Sequence, residues 1–217
     1  MTLTENHPSP GRFSADDPRV HFARAVEIAA SAIAAVRADQ LGDPTPCTEY
    51  DVRQLLGHMV TVLRRVAALG RGDDPFGMPR LATVADDGWL EAWYDAAHDV
   101  QAAWTDDAVL GRTMRLPWAE GPGARILTGY LNELTVHTWD LARATGQQPA
   151  WDRQILALAF DAIRSLPPTG RAELVRSIRE AMPPEHRDPS DPFADAVPVP
   201  DDAPLLDRLV AWNGRRP

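Results

Sequence analysis

Apolar residues recurring at helical steps constrain this chain more than any other feature. In YDVRQLLGHMVTVLRRVAAL, Leu55, Leu56, Met59, Leu63, Val66 and Leu69 return every three or four residues. That period draws one apolar stripe along an α-helix, and such a stripe must be buried against other elements. The same pattern recurs in VHFARAVEIAASAIAAV through Val20, Phe22, Val26, Ile28, Ile33 and Val36. A third stretch repeats it through Trp89, Leu90, Trp93, Ala97, Val100 and Trp104, and a fourth runs from Arg125 to Gln147. No stretch sustains the two-residue alternation of a half-buried sheet. The expected fold is all-α: a bundle of four main helices, with extra helices after it.

Local signals set the expected boundaries. Asp17-Pro18 reads as a cap followed by a first-turn proline, and the first helix should run to about Asp39. GDPTPCTEY is a turn, in which Thr48 and Asp51 match a capping pattern for the second helix. That helix should stop at Gly70, and the linker RGDDPFGMPRL precedes a third helix over about Asp86 to Trp104. GRTMRLPWAEGPGA suggests a short extended piece at Thr113 to Leu116, or a lid over a site. The fourth helix should end at Gly146. WDRQILALAFDAIRSL, capped near Asp152, then RAELVRSIREAM and PLLDRLVAWNG, read as further helices. The seven prolines from Pro183 to Pro204 imply an irregular wrap over the body. Residues 1–16 are expected to be loose, and 17–217 to form one domain.

The fourth helical stretch carries the chemistry. Glu133 and His137 stand four residues apart, about 6 Å along the axis and about 40° beyond one turn, so they leave the same face. His58 lies at the edge of the second stripe, away from Arg53 and Arg64 but closer to Arg65, and should point inward. Two packed helices would bring His58, Glu133 and His137 to one point. Two imidazoles and a carboxylate form a common zinc set with an open position. On spacing alone, this reading competes with a satisfied core histidine and a local Glu–His ion pair. Asp140 can hold the outer nitrogen of His137, although a helix cap or a pair with Arg143 ranks slightly ahead. His98 is a reserve ligand or substrate contact set against a plain surface role, and His21 should be exposed. Tyr130 is a pocket candidate, while Trp139 should pack between helices. Cys47 is assigned to packing or the loop.

These same residues carry a resemblance. TPCTEYDVRQLLGHMV, followed by NELTVHTWDLARATGQ, resembles the DinB-like metalloprotein superfamily. More closely it is similar to the branch related to the mycothiol-dependent maleylpyruvate isomerase amino-terminal domain. The family's His within an LLxHxV helix and its E-x-x-x-H-x-W-D-L-A helix fall on His58, Glu133 and His137. The tail FADAVPVPDDAPLLDRLVAWNGRRP is also similar, so the likeness spans about Asp17 to Pro217. It implies a DinB-like four-helix bundle, a divalent metal (most simply zinc) and mycothiol as a thiol cosubstrate. A metal-bound thiol loses its proton, and the thiolate is the nucleophile. An isomerase or an S-transferase follows from that chemistry. A metal-dependent hydrolase and a non-catalytic metal or small-ligand binding protein stay open.

Charge and composition narrow the partners. The net charge of −9 disfavours nucleic acid and anionic membranes, both of which select basic faces. All 22 basic residues are arginine, so lysine-based covalent catalysis is excluded. One cysteine permits no intrachain disulfide and no cysteine zinc cluster. The opening MTLTENHPSPGRF lacks the apolar core of a signal peptide. No phosphate loop, HExxH string or G-x-S-x-G elbow is present. A cytoplasmic protein acting on a small molecule is expected, with a homodimer as an open option.

Overall fold

A computed structural model describes residues 13–184, 187 and 194–217. The chain is mostly helical, with eight α-helices and one two-stranded hairpin among these residues. Helix α1 spans Pro18–Ala34, and its Asp17 cap accepts a hydrogen bond from the Arg19 amide at 2.9 Å. It ends five residues short of the expected Asp39. Gln40, in a 3-10 turn over Ala38–Gln40, bonds the Arg37 amide at 3.1 Å and the Thr145 carbonyl at 3.1 Å. Anchoring this turn to the end of the fourth long helix bends the chain early. Val20 faces solvent, unlike the rest of the α1 stripe that packs inward.

Helix α2 spans Val52–Arg71 and starts on a capping box between Asp51 and Gln54, not at Thr48. It passes through Gly70, where a stop is expected, and ends at Gly72 with φ 85°. Gly70 serves packing instead: a Cβ there would lie 2.6 Å from Trp104 Nε1. That indole donates to the Val66 carbonyl at 2.8 Å, which ties α2 to helix α3, Trp89–Ala103. Trp93, from the same helix, donates to the Val26 carbonyl of α1 at 3.2 Å.

The extended piece is a hairpin. After the one-turn helix α4 (Ala108–Gly111), β1 (Thr113–Leu116) pairs antiparallel with β2 (Ala119–Pro122), with Thr113 opposite Pro122. Helix α5 follows at once, Gly123–Thr145, capped by Gly146 at φ 71°. It packs on α1, α2 and the next helix, α6 (Arg153–Ile163), so it lies at the centre. The core gathers Leu55, Leu56, Met59 and Leu63 from α2 with Leu127, Leu131 and Leu134 from α5. Full burial of each such side chain stabilises the fold by about 1.5–3 kcal/mol.

Helices α7 (Ala172–Ala181) and α8 (Leu205–Trp212) complete the chain. Arg171 is buried and fastens this end, donating to the Ala194 and Trp212 carbonyls at 2.7 Å each and to the Pro167 carbonyl. The Asp195 carboxylate caps the start of α7, accepting from the Gly170 and Arg171 amides. Most of the loose segment expected at residues 1–16 lies outside the described residues, as does the middle of the proline-rich stretch. Within its described part, residues 194–200 have no regular secondary structure.

Candidate metal centre

The α2–α5 seam brings His58 to Glu133 and His137. His58 Nε2 lies 3.1 Å from Glu133 Oε1, and His137 Nε2 lies 3.4 Å from the same oxygen. The two imidazole rings meet edge to face, centroids 4.8 Å apart. One ligand atom from each residue falls within 4.8 Å of the other two. Helix geometry explains the convergence: Leu55, Leu56, Met59 and Leu63 turn α2 toward the core, leaving His58, Val62 and Arg65 on an adjoining stripe. That stripe and the α5 residues from Ala124 to His137 line a cavity of about 1410 Å3.

The surroundings hold the three side chains in place. Tyr50 stacks on the His58 ring at 5.2 Å, and its hydroxyl accepts from Arg80 at 3.1 Å. Behind His137, Asp140 accepts from Nδ1 at 3.0 Å. Asp140 is fully buried, and the Arg215 guanidinium grips it through Nε at 3.2 Å and Nη2 at 2.9 Å. Asp140 therefore pairs with neither Arg143 nor a helix cap. Arg143 is exposed and sits over the Trp139 ring.

The electrostatics follow from burial and these contacts. Burial works to raise the Glu133 carboxyl, but hydrogen bonds from His137 and His58 outweigh it and hold the group well below the usual range. Burial works to lower His137, yet Asp140 and Glu133 raise it to about 9. For His58, burial dominates over the Glu133 hydrogen bond and lowers the pKa, so this ring is neutral. With Nε2–H donating to Glu133, His58 Nδ1 is left buried without a hydrogen-bond partner among the described residues. The donor set fits a divalent cation. Two imidazole nitrogens and one carboxylate oxygen converge from two rigid helices, one imidazole is oriented from behind by a carboxylate, and a cavity leaves room for a further ligand.

The other expectations sort out as follows. His98 is exposed on α3 and does not line the cavity. His21 is buried, not exposed: it sits on the cavity wall, which Gln154 and Leu158 of α6 also line, instead of facing solvent. Tyr130 lines the cavity, and burial pushes its hydroxyl up. Trp139 is buried. Three residues join the site that the sequence reading did not place there. Arg65 is a buried cation on the cavity wall, and Arg215 reaches Asp140 from the far end of the chain. Cys47 comes within 4.8 Å of ligand atoms of His137 and Asp140. Burial pushes its thiol up to about 12. No spacing in the sequence signals the last two.

The sequence model described as the mycothiol maleylpyruvate isomerase N-terminal domain matches residues 22–142, more than half of the chain. The chain belongs to this family. The family is a mycothiol-related, metal-binding branch of the DinB-like proteins. Uncharacterized proteins of Mycobacterium tuberculosis, from strains CDC 1551 / Oshkosh and H37Rv, are each 32% identical to it over 199 residues. The alignments cover 92% of this chain and 98% of each relative. No solved structure matches the chain significantly. No helix of the described residues is long and apolar enough to cross a membrane. The family match stops at Ala142, so Arg215 contributes to the site from outside it.

Proposed function

We propose that the protein binds one divalent cation, zinc, through His58, Glu133 and His137, and uses it with mycothiol in an isomerase or S-transferase reaction. The observation that carries this reading is the convergence of His58 Nε2, Glu133 Oε1 and His137 Nε2 on one point of a cavity wall. A divalent cation held there would supply charge that lowers the pKa of an entering thiol and keeps its sulfur as thiolate. The chain's own groups do the rest. Asp140 accepts from His137 Nδ1, which turns the Nε2 edge of that ring toward the cavity. Tyr50 stacks on the His58 ring and fixes its plane. Arg65 and Arg80 put positive charge on the wall beside this point, which suits an electron-poor, anionic acceptor. Trp118 of the hairpin lines the cavity and is held by Phe76 of the 72–88 loop, ring centroids 6.0 Å apart.

The same reading takes α1, α2, α3 and α5 as a DinB-like four-helix bundle. It takes residues 17–217 as one domain with the proline-rich stretch wrapped over it, and places the protein in the cytoplasm. The test joins metal analysis to turnover. Purified protein should carry about one divalent ion per chain, and His137→Ala should lose it. Metal-loaded protein should consume mycothiol in the presence of unsaturated acids or other electrophiles, and chelated protein should not. Binding energy from the remote part of the thiol helps orient its sulfur, so glutathione alone is an inadequate probe. Equal rates with and without metal would favour a non-catalytic binding protein. Metal-dependent turnover that needs no thiol would favour a hydrolase.

A further inference from the structure

A second donor set lies behind the first. Cys47 Sγ, His137 Nδ1 and a carboxylate oxygen of Asp140 offer ligand atoms within 4.8 Å of one another. Sulfur, imidazole nitrogen and carboxylate bind such a cation at about 2.3, 2.0–2.1 and 2.0–2.2 Å. His137 Nδ1 and Asp140 Oδ2 are already 3.0 Å apart, so closing the set requires only the sulfur to approach them, by about 1 Å at most judged from those bond lengths. Asp140 is fixed by Arg215, so the movement falls to Cys47. Cys47 sits in the turn before α2, where its carbonyl accepts from the Tyr50 amide and the Thr45 hydroxyl. It also lines the cavity, which gives a solute a way in.

We propose that Cys47, His137 and Asp140 form a second site, specific for thiophilic divalent cations such as cadmium and distinct from the His58–Glu133–His137 set. Only the sharing of His137 between two sites rests on the proposed zinc centre. On binding, the Cys47 thiol proton and the His137 Nδ1 proton leave to solvent. Thiolate and carboxylate, with the imidazolate that His137 becomes when zinc holds its Nε2, offset the two charges of the cation and the one of Arg215. The sulfur ligand selects soft cations over magnesium or calcium. Because this site takes the Nδ1 edge of His137, filling it replaces the Asp140 hydrogen bond that orients the ring.

The chain has one cysteine, so a thiolate-to-cadmium charge-transfer band in the ultraviolet can arise from Cys47 alone. Full-length protein is titrated with cadmium: wild type and Cys47→Ala loaded with zinc, and Glu133→Ala as purified. The band should appear at about one equivalent per chain in wild type and in Glu133→Ala, which lacks only the first site. It should be absent from Cys47→Ala, whose zinc content and far-ultraviolet spectrum should match wild type. No band in wild type would overturn the proposal. A band that needs Glu133 would overturn it too, by placing Cys47 on the first cation. The zinc contents of His137→Ala and Glu133→Ala judge the first site separately, whatever cadmium does.

Discussion

Replacing Arg215 by alanine removes one of the two cationic partners of a carboxylate with no exposed surface. Asp140 then keeps only the His137 Nδ1 contact at 3.0 Å and loses guanidinium contacts at 3.2 and 2.9 Å. Breaking a buried pair by deleting one partner costs about 3–5 kcal/mol, because the other charge stays desolvated. His137 still compensates Asp140 in part, which places the expected cost near the lower bound, about 3 kcal/mol. At about 2–4 °C per kcal/mol for a chain of this size, the melting temperature should fall by about 6–12 °C. Zinc affinity should drop about 10- to 100-fold, since the partner that orients a ligating imidazole is itself loosened. Urea unfolding followed by far-ultraviolet circular dichroism gives the first number, and competition with a chromophoric chelator gives the second. Arg215→Lys keeps the charge but not the two-pronged geometry, and should fall between wild type and alanine. Combining Arg215→Ala with Asp140→Asn should cost less than the sum of the single changes by about 1 kcal/mol or more. A loss under about 1 kcal/mol for Arg215→Ala, together with strict additivity, would refute the argument.

Three further outcomes follow from the same structure. Chelation should leave far-ultraviolet helicity intact and at most lower the melting temperature, because the α2–α5 core is apolar and needs no ion to form; wholesale unfolding would make the metal structural. Gly70→Ala should destabilise by about 1–3 kcal/mol through overpacking, since its Cβ would meet Trp104 Nε1 at 2.6 Å; an unchanged urea midpoint would contradict that packing. Cys47, pushed up to about 12 by burial, is almost wholly protonated at pH 8, and its thiolate fraction rises about tenfold per pH unit above that. Iodoacetamide should therefore label it about a thousandfold more slowly than a small free thiol at pH 8, roughly the ratio of thiolate fractions; labelling at the free-thiol rate would show the burial to be wrong.

Where a feature depended on near neighbours, the sequence was enough. The stripe from Leu55 to Leu69 made α2 a helix, Asp17-Pro18 and Asp152 set two helix starts, and the four-residue step put Glu133 and His137 on one face. Those properties follow from 3.6 residues per turn and from hydrogen bonds within a few residues. Tertiary contact decided the rest. Helix α2 runs on to Gly72 because Trp104 needs Gly70 as a packing surface, and α1 stops early because Gln40 finds the Thr145 carbonyl. His58 meets Glu133 across 75 residues only because two apolar faces fix how α2 lies on α5. Asp140 chooses Arg215, also 75 residues away, over Arg143 three residues away, because the docked end of α8 carries a guanidinium into the interior where Arg143 cannot reach. A helix holds its own residues at separations set by its repeat. Partners brought together by packing depend on every interface between them, and no local pattern of residues records that sum.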